Sequence, residues 1–477
     1  MGGEETGHVT VSGGEEPVKV YTRYHISTEP CPHIAPYPNR FLVRVSKKGL
    51  ARLLLTEILH YRANLRVVTS RPCVYGTFSG PIGGFSPRPE HCVGCLRCTM
   101  EYPEIVEIRP NPDRLRLGDS YFTPDKVDSV LQEAATGQIP VRGAGYRGAF
   151  GGRGWDGMWT DMSEIVRPTR DGIHGREFIS TAVDLGARPG FLTFDRSGLP
   201  VGPIPEQVSI PLPFLFDVPP ERFTSATLDA ALTQAAARLE TLAIVPVRRI
   251  LDSGLAAPAM VPLVAPAELQ ALDRLPRLFR VMELDGWDAS SYTEIRSRFP
   301  GAAVFVRLPL KHDLVPLARK GIRLFHLTAN YHGECGGSFI RDAVREAHDS
   351  LVQAGVREEA VLIGSGGIIT AADVPKAIIC GLDAVALDTA LLIALQGRFE
   401  GEALDRHTTA VMLPRFEPAW AVQRLLNLAA AWRDQMLEIL GAMGLREVRR
   451  LRGEMGRAMF QADLEREAFA GIAGFEG

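Results

Sequence analysis

No apolar run in this 477-residue chain is long enough to cross a bilayer. The longest, at 384–395, is interrupted by Asp388. The opening Met1-Gly-Gly-Glu-Glu-Thr6 lacks the basic and apolar parts of a signal peptide, and its fit to a myristoylation pattern through Gly2 and Thr6 reads as chance. A surplus of either charge is also missing. Lys and Arg number 53 against 56 Asp and Glu, so the net charge of −3 gives no electrostatic case for nucleic-acid binding. The Arg-rich stretch at 446–457 is diluted by Glu447 and Glu454 and reads as a solvated helix face. No Gly-x-Gly-x-x-Gly follows a strand-like run, which disfavours an open dinucleotide-binding sheet. Cysteines number only seven, and three stand in one short run. Metal binding in a reducing compartment explains this better than disulfides do, and the expected location is the cytoplasm.

That run is Cys92-Val-Gly-Cys95-Leu-Arg-Cys98. Two-residue gaps on a loop let three thiolates converge on one corner of an iron–sulfur cube. A zinc site more often uses two separated Cys-x-x-Cys pairs, and the second pair is absent. Where a bacterial ferredoxin run continues with Cys-Pro, this chain has Tyr102-Pro103. In two-cluster ferredoxins that thiol serves the other cluster, so one cluster is expected here. Cys73, in Arg71-Pro-Cys-Val-Tyr-Gly, is the expected fourth ligand, and Cys31 is the alternative. A 4Fe–4S cluster is favoured, with a 3Fe–4S cluster on the triplet alone left open.

The chain divides by composition. Residues 1–16 form a Gly/Glu-rich tail expected to be disordered. Residues 17–118 read as a small loop-rich, ferredoxin-like iron–sulfur domain with one clear helix at 50–61. A connector at 119–164 holds a helix opened by Thr123-Pro-Asp-Lys and a glycine-rich linker at 143–154. In it, Trp155, Asp156 and Trp159 are expected to help dock the cluster domain. From 165 onward, strand-like runs at 208–216, 242–247, 278–284, 303–308, 324–329, 360–364 and 384–387 alternate with helical patterns such as 338–354 and 371–381. Repeated strand–helix alternation over this length predicts an α/β fold, a TIM (β/α)8 barrel over 165–417. Residues 418–477, helical at 420–440 and 445–469, are expected to cap it.

In such a barrel, chemistry sits at the carboxyl ends of the strands, and the loops after the last two often bind phosphate. The seventh strand runs into Ser365-Gly-Gly-Ile-Ile-Thr-Ala-Ala-Asp373, and the eighth into Asp388-Thr-Ala390. Small residues ahead of a helix start suit an anion. After the sixth strand come His326, Asn330, Tyr331, His332 and Glu334, with Tyr331 and His332 the candidate proton donors. The charged segment at 167–177 reads as an ion-pair network at the domain junction, and Cys380 as a core thiol.

The segments Val361-Leu-Ile-Gly-Ser-Gly-Gly-Ile-Ile-Thr-Ala-Ala-Asp-Val-Pro-Lys-Ala377 and Cys380-Gly-Leu-Asp-Ala-Val-Ala-Leu-Asp-Thr-Ala390 resemble the FMN-binding barrel of glutamate synthases. The likeness continues at Val304-Phe-Val-Arg-Leu308, Phe325-His-Leu-Thr-Ala329, Asn427 and Leu440-Gly-Ala-Met-Gly-Leu-Arg446. With the ferredoxin-like segment in front, the chain is similar to the short, archaeal-type arrangement. The resemblance implies FMN, its phosphate on Ser365, Gly366, Gly367, Thr389 and Ala390. Arg307 stands where the family has a lysine near the flavin ring; the alternative for Arg307 is an ion pair in the barrel core. The implied activity is an oxidoreductase acting on CH-NH2 donors. Electrons would come from a ferredoxin or another electron-transfer subunit, pass through the cluster and flavin, and reduce an imine derived from a 2-oxo acid. The glutaminase part of the family is absent, so ammonia would come from solution or a separate glutaminase subunit, in an oligomer. The chain departs from the family at Asp217-Val-Pro-Pro-Glu, at Val245-Pro-Val-Arg-Arg249, at Ala394-Leu-Gln-Gly-Arg-Phe-Glu, and at Asp388, whose charge would repel a phosphate unless it turns away. These departures motivate a competing expectation, a non-catalytic electron-transfer or scaffold subunit with a degenerate barrel.

Overall fold

The computed structural model describes residues 24–68, 73–139, 151–160, 178–186, 193–201, 207–221 and 225–474. The tail at 1–16, the charged segment at 167–177 and most of the glycine-rich stretch lie outside the described residues.

Eight parallel strands close into a barrel, in chain order around the ring. They are Phe214–Phe216, Ala243–Pro246, Met260–Val264, Val281–Asp285, Ala303–Pro309, Leu324–Thr328, Val361–Ser365 and Ala384–Leu387. The ring closes where Val385, Ala386 and Leu387 pair with Phe214, Leu215 and Phe216. Parallel strands covered on both faces are written as continuous apolar runs, and Met260–Val264 and Val361–Ser365 are buried along their whole length. The expected barrel is therefore the observed one.

Two details of the expectation are corrected. The third strand, Met260–Val264, was not foreseen, because Pro262 at its centre reads as a strand breaker. The single strand expected at 208–216 is two. Val208–Ile210 pairs antiparallel with Val183–Leu185 outside the barrel, and only Phe214–Phe216 enters the ring. Pro211 and Pro213, which offer no backbone N–H, separate them.

The Pro418–Ala442 helix was expected to cap the barrel. It packs instead along the Ala226–Arg238 and Pro124–Thr136 helices, on the barrel's flank. Burial on nearly every side explains its apolar sequence. Its polar residues stitch the chain together. Arg424 donates to the carbonyls of Cys31, Leu131 and Ala394, and the Asn427 amide bonds Glu29 and Ala134. Beyond it, the helix expected over 445–469 is confined to Gln461–Phe469. Gly444 and Gly453, both at positive φ, break the run, and Ala458–Phe460 pairs instead with Met158–Thr160.

The amino-terminal part is built differently. Phe41–Val45 pairs antiparallel with Val106–Pro110, and the Lys47–His60 helix is capped by Ser46, whose hydroxyl accepts from Gly49 N. None of that helix's residues is buried.

Candidate functional site

The cysteine loop is shaped by backbone. Gly94 and Leu96 both hold positive φ, between Cys92 and Cys95 and between Cys95 and Cys98. These left-handed residues turn the chain twice within seven residues. Gly94 is obligatory on a second count, because a Cβ there would meet the Phe41 ring at 2.2 Å. Leu96 then starts the short Arg97–Glu101 helix that carries Cys98. All seven cysteines are free thiols. The Cys92 and Cys98 thiols are pushed up first by burial, and each also feels the other cysteines of the set: Cys73 and Cys95 at Cys92, and Cys92, Cys95 and Cys73 at Cys98. At Cys73 burial is outweighed by hydrogen bonds from Thr77 and the amides of Tyr75 and Gly76, which draw the thiol below its usual range. Cys31 is held elsewhere: its amide bonds Ala135 O, its Sγ lies 3.6 Å from Trp420 O, and its charged neighbour is Arg424. Three thiols on a left-handed loop, with a fourth on the segment at 73–77, fit an iron–sulfur cluster in donor type and number.

The barrel mouth is the second candidate. Residues from five strands build it: Asp217 just past the first, Glu283 in the middle of the fourth, Arg307 toward the end of the fifth, His326 in the middle of the sixth and Asp388 just past the eighth. All five are buried. Arg307 takes Asp217 bidentately, with both N–O distances 2.8 Å, and reaches Glu283 at 3.3 Å. Glu283 Oε1 lies 2.7 Å from His326 Nδ1. Burial pushes the Asp217 carboxyl up, but Arg307 and then His326 outweigh it and hold it well below the usual range. Burial likewise opposes the charge of Arg307, and Asp217 and Glu283 more than restore it. Arg307 is thus in the core ion pair that was its alternative reading.

Two buried groups here have no hydrogen-bond partner, His326 Nε2 and Tyr331 Oη. Burial raises the Tyr331 phenol well above its ordinary value, with Asp388 and Asp217 adding to it. The segment after residue 400 lies across the same region. Leu404 O accepts from Tyr331 N, and Arg406 pairs with Asp285 and Glu221. His332 is engaged elsewhere: Nε2 lies 2.8 Å from Asp119 Oδ2 and 3.7 Å from Glu402 Oε2, with the ring stacked on Tyr121. Asp119 also accepts from the amides of Tyr121, Phe122 and Ala403. This cluster ties the connector to the barrel.

Of the expected phosphate residues, Gly367 and Thr389 spend donors within the chain, the Gly367 amide on Tyr331 O and the Thr389 amide and hydroxyl on Asp388. Ser365, Thr389 and Ala390 are buried. Gly366 and Gly367 hold positive φ, and a Cβ on them would strike Asn330 O at 2.4 Å and the Gly333 Cα at 2.6 Å. The carbonyl of Gly367 accepts from Tyr121 Oη at 2.6 Å and Trp155 Nε1 at 3.0 Å. Asp373 accepts from the amides of Ile369 and Thr370. Asp388 does not turn away: it accepts from the amide and hydroxyl of Thr389. Burial, the largest cause, pushes its carboxyl up to about 7. The donors fit a phosphate in kind, and one gains Thr389 only where Asp388 yields it.

Sequence reasoning missed Asp217, Glu283 and His326 as one network. A signal existed: Asp217 directly follows the wholly apolar Phe214–Phe216, and Glu283 interrupts an apolar strand. A charge at a barrel strand's carboxyl end, as at Asp217, marks the functional face, and a charge within an apolar barrel strand, as at Glu283, calls for a buried partner.

Comparison with known proteins bears out the family resemblance. Residues 332–404 match the conserved region in glutamate synthase. The chain is similar to an archaeal-type glutamate synthase (NADPH) of Dehalococcoides mccartyi, 24% identical over 438 residues, covering 77% of this chain and 86% of that one. An archaeal glutamate synthase (NADPH) of Archaeoglobus fulgidus is 22% identical over 463 residues, 80% of this chain and 89% of its own. The Methanocaldococcus jannaschii protein of that name is 37% identical over 125 residues, 25% of this chain and 24% of its own. The chain is similar to glutamate synthases, and the matched conserved region runs from His332 to Leu404, across the barrel mouth.

Proposed function

We propose that the chain is an iron–sulfur- and FMN-dependent oxidoreductase of the glutamate synthase type, whose substrate is an imine derived from a 2-oxo acid. One observation supports the reading: a chain similar to glutamate synthases over 332–404 also carries three cysteines on the left-handed 92–98 loop, with Cys73 bonded to Thr77, which also bonds Cys92. Bound cluster and flavin would supply one-electron transfer and its conversion to hydride transfer. In this reading the four cysteines hold the cluster, and Ser365, Gly366, Gly367, Thr389 and Ala390 hold the flavin phosphate. Arg307 keeps a buried positive charge at the barrel mouth, oriented by Asp217 and Glu283. Tyr331 Oη and His326 Nε2, buried and unpartnered, are the groups free to bond a bound substrate. His332, engaged by Asp119, positions the Tyr331 loop rather than touching the substrate. A ferredoxin or another electron-transfer subunit as donor, a separate glutaminase subunit, an oligomeric state, the cytoplasm, and the division at 17–118, 119–164, 165–417 and 418–477 belong to the same proposal.

The second reading, an electron-transfer or scaffold subunit with a degenerate barrel, is favoured by the hold of Asp388 on Thr389. Anaerobic purification, with iron and flavin extracted and counted, separates the two. Flavin with iron and turnover of a 2-oxo acid with ammonia supports the enzyme. Iron without flavin supports the subunit, and neither cofactor overturns both.

A further inference from the structure

Two side chains of the connector end on one backbone atom of the barrel. Tyr121 Oη, at 2.6 Å, and Trp155 Nε1, at 3.0 Å, both donate to the Gly367 carbonyl. The indole reaches that atom inside the packed interior, because Trp155 is buried. The barrel holds the connector in return. Lys376 Nζ donates to Trp155 O at 2.6 Å, and Arg341 Nη1 donates to the carbonyls of Gly154 and Gly157 at 3.1 and 3.4 Å. Lys126 links the connector's two segments, with its Nζ 3.2 Å from Asp156 Oδ2 and 4.6 Å from the centre of the Tyr121 ring. Donors anchored in this way fix the direction of the carbonyl they share.

The other side of that peptide is open. Its carbonyl belongs to Gly367 and its N–H to Ile368, and in a trans peptide the two point in opposite directions. The Ile368 N–H therefore points away from Tyr121 and Trp155. Its neighbours are engaged: the Gly367 amide bonds Tyr331 O, and the Ile369 and Thr370 amides bond Asp373. The Ile368 amide has no hydrogen-bond partner among the described residues, although Ile368 is 0% exposed. A buried amide left unpaired is rare and calls for a ligand. Hydrogen bonds accepted by a peptide's carbonyl also polarise the peptide and strengthen its N–H as a donor.

We propose that Tyr121 and Trp155 are positioning residues for the flavin phosphate: by holding the Gly367 carbonyl they aim the Ile368 N–H at it. The proposal rests on the flavin reading above and adds residues from outside the barrel to its phosphate site. Both side chains act through the Gly367 peptide rather than on the flavin itself. Flavin affinity then depends on a docked connector, and the connector is the segment that leads in from the cysteine-bearing part.

The test measures FMN and riboflavin binding to the full chain by quenching of flavin fluorescence, alongside thermal unfolding of the flavin-free chain. Tyr121→Phe and Trp155→Phe each delete one donor and keep an aromatic ring. We expect FMN to bind about threefold more weakly in either variant, because one donor still holds the carbonyl, and about tenfold more weakly when both are changed. Riboflavin, which lacks the phosphate, should bind the parent and the double variant alike. FMN held as tightly by the double variant as by the parent overturns the proposal. An equal loss for both flavins also overturns it, because it marks a purely structural role. Should the double variant not fold, Tyr121→Phe alone carries the same comparison of the two flavins. A parent that binds FMN but not riboflavin places the affinity in the phosphate, and the same losses with an unmoved unfolding transition then support the proposal. A parent that binds neither flavin removes the flavin reading itself, and the proposal falls with it.

Discussion

The barrel and the cysteine-bearing part differ in what holds them. The barrel strands are buried almost throughout, and the Pro418–Ala442 helix beside them is buried on nearly every side. The Lys47–His60 helix has no fully buried residue, although it contains five leucines, two of them mostly exposed. Burial contributes roughly 25 cal/mol per Å² of apolar surface, so the barrel is stabilised by its core. The cysteine part gains little from that source and depends on a short two-stranded pairing and on whatever its thiols hold. Within the barrel the contrast recurs on a smaller scale: an apolar body carries a charged mouth, where Arg307, Asp217, Glu283 and His326 depend on one another.

If the cysteines hold the cluster proposed above, the sharpest way to break the contrast is to remove it. Cys95→Ser, or iron chelation, is expected to abolish iron binding and open the 41–110 part to protease, while the barrel's thermal transition stays in place. Equal loss in both parts would show one cooperative unit. Next in size, Arg307→Met leaves buried Asp217 without its ion-pair partner and Glu283 with His326 alone, at a cost of about 3–5 kcal/mol in denaturant unfolding. Pairing it with Asp217→Asn should recover part of that loss, and no recovery would show that the residues do not act together.

A third effect lies in pH. The Asp388 carboxyl titrates at about 7 in the fold and near the ordinary carboxylate value when unfolded. Between those values the folded state holds more protons, so stability falls as pH rises from about 4 to 7, by on the order of a few kcal/mol. Asp388→Asn should remove this dependence. Asp217, held below its ordinary value, works in the opposite sense: its contribution is present above that value and is lost as pH falls through the folded one. The smallest effect is expected at the surface, where Glu101→Ala, removing the Arg97 pair, changes stability by less than about 0.5 kcal/mol.

Much of this was legible in the chain. The strand–helix alternation announced the barrel, and the glycines after the seventh strand are where the sequence put them. The third strand was hidden by Pro262, and the break at Pro211 and Pro213 was passed over, because a single proline does not say whether its missing N–H faces a partner. At the candidate site, residue types were readable and partners were not. Arg307 could be read as a flavin neighbour or as a core ion pair, and its two hydrogen bonds to Asp217 cross 90 residues of sequence.

Sequence by itself determined what is local: the (β/α) alternation, the thiol spacing, the glycine turn and the likeness to glutamate synthases. Periodicity and short spacing are properties of neighbouring residues, so they survive without coordinates. Tertiary structure alone decided that Cys31 is held by Ala135 O and Trp420 O, that His332 is bound by Asp119, and that Asp388 holds Thr389. Each of these depends on which groups meet in space after burial removes water as the competing partner, and that competition is settled only when the chain closes on itself.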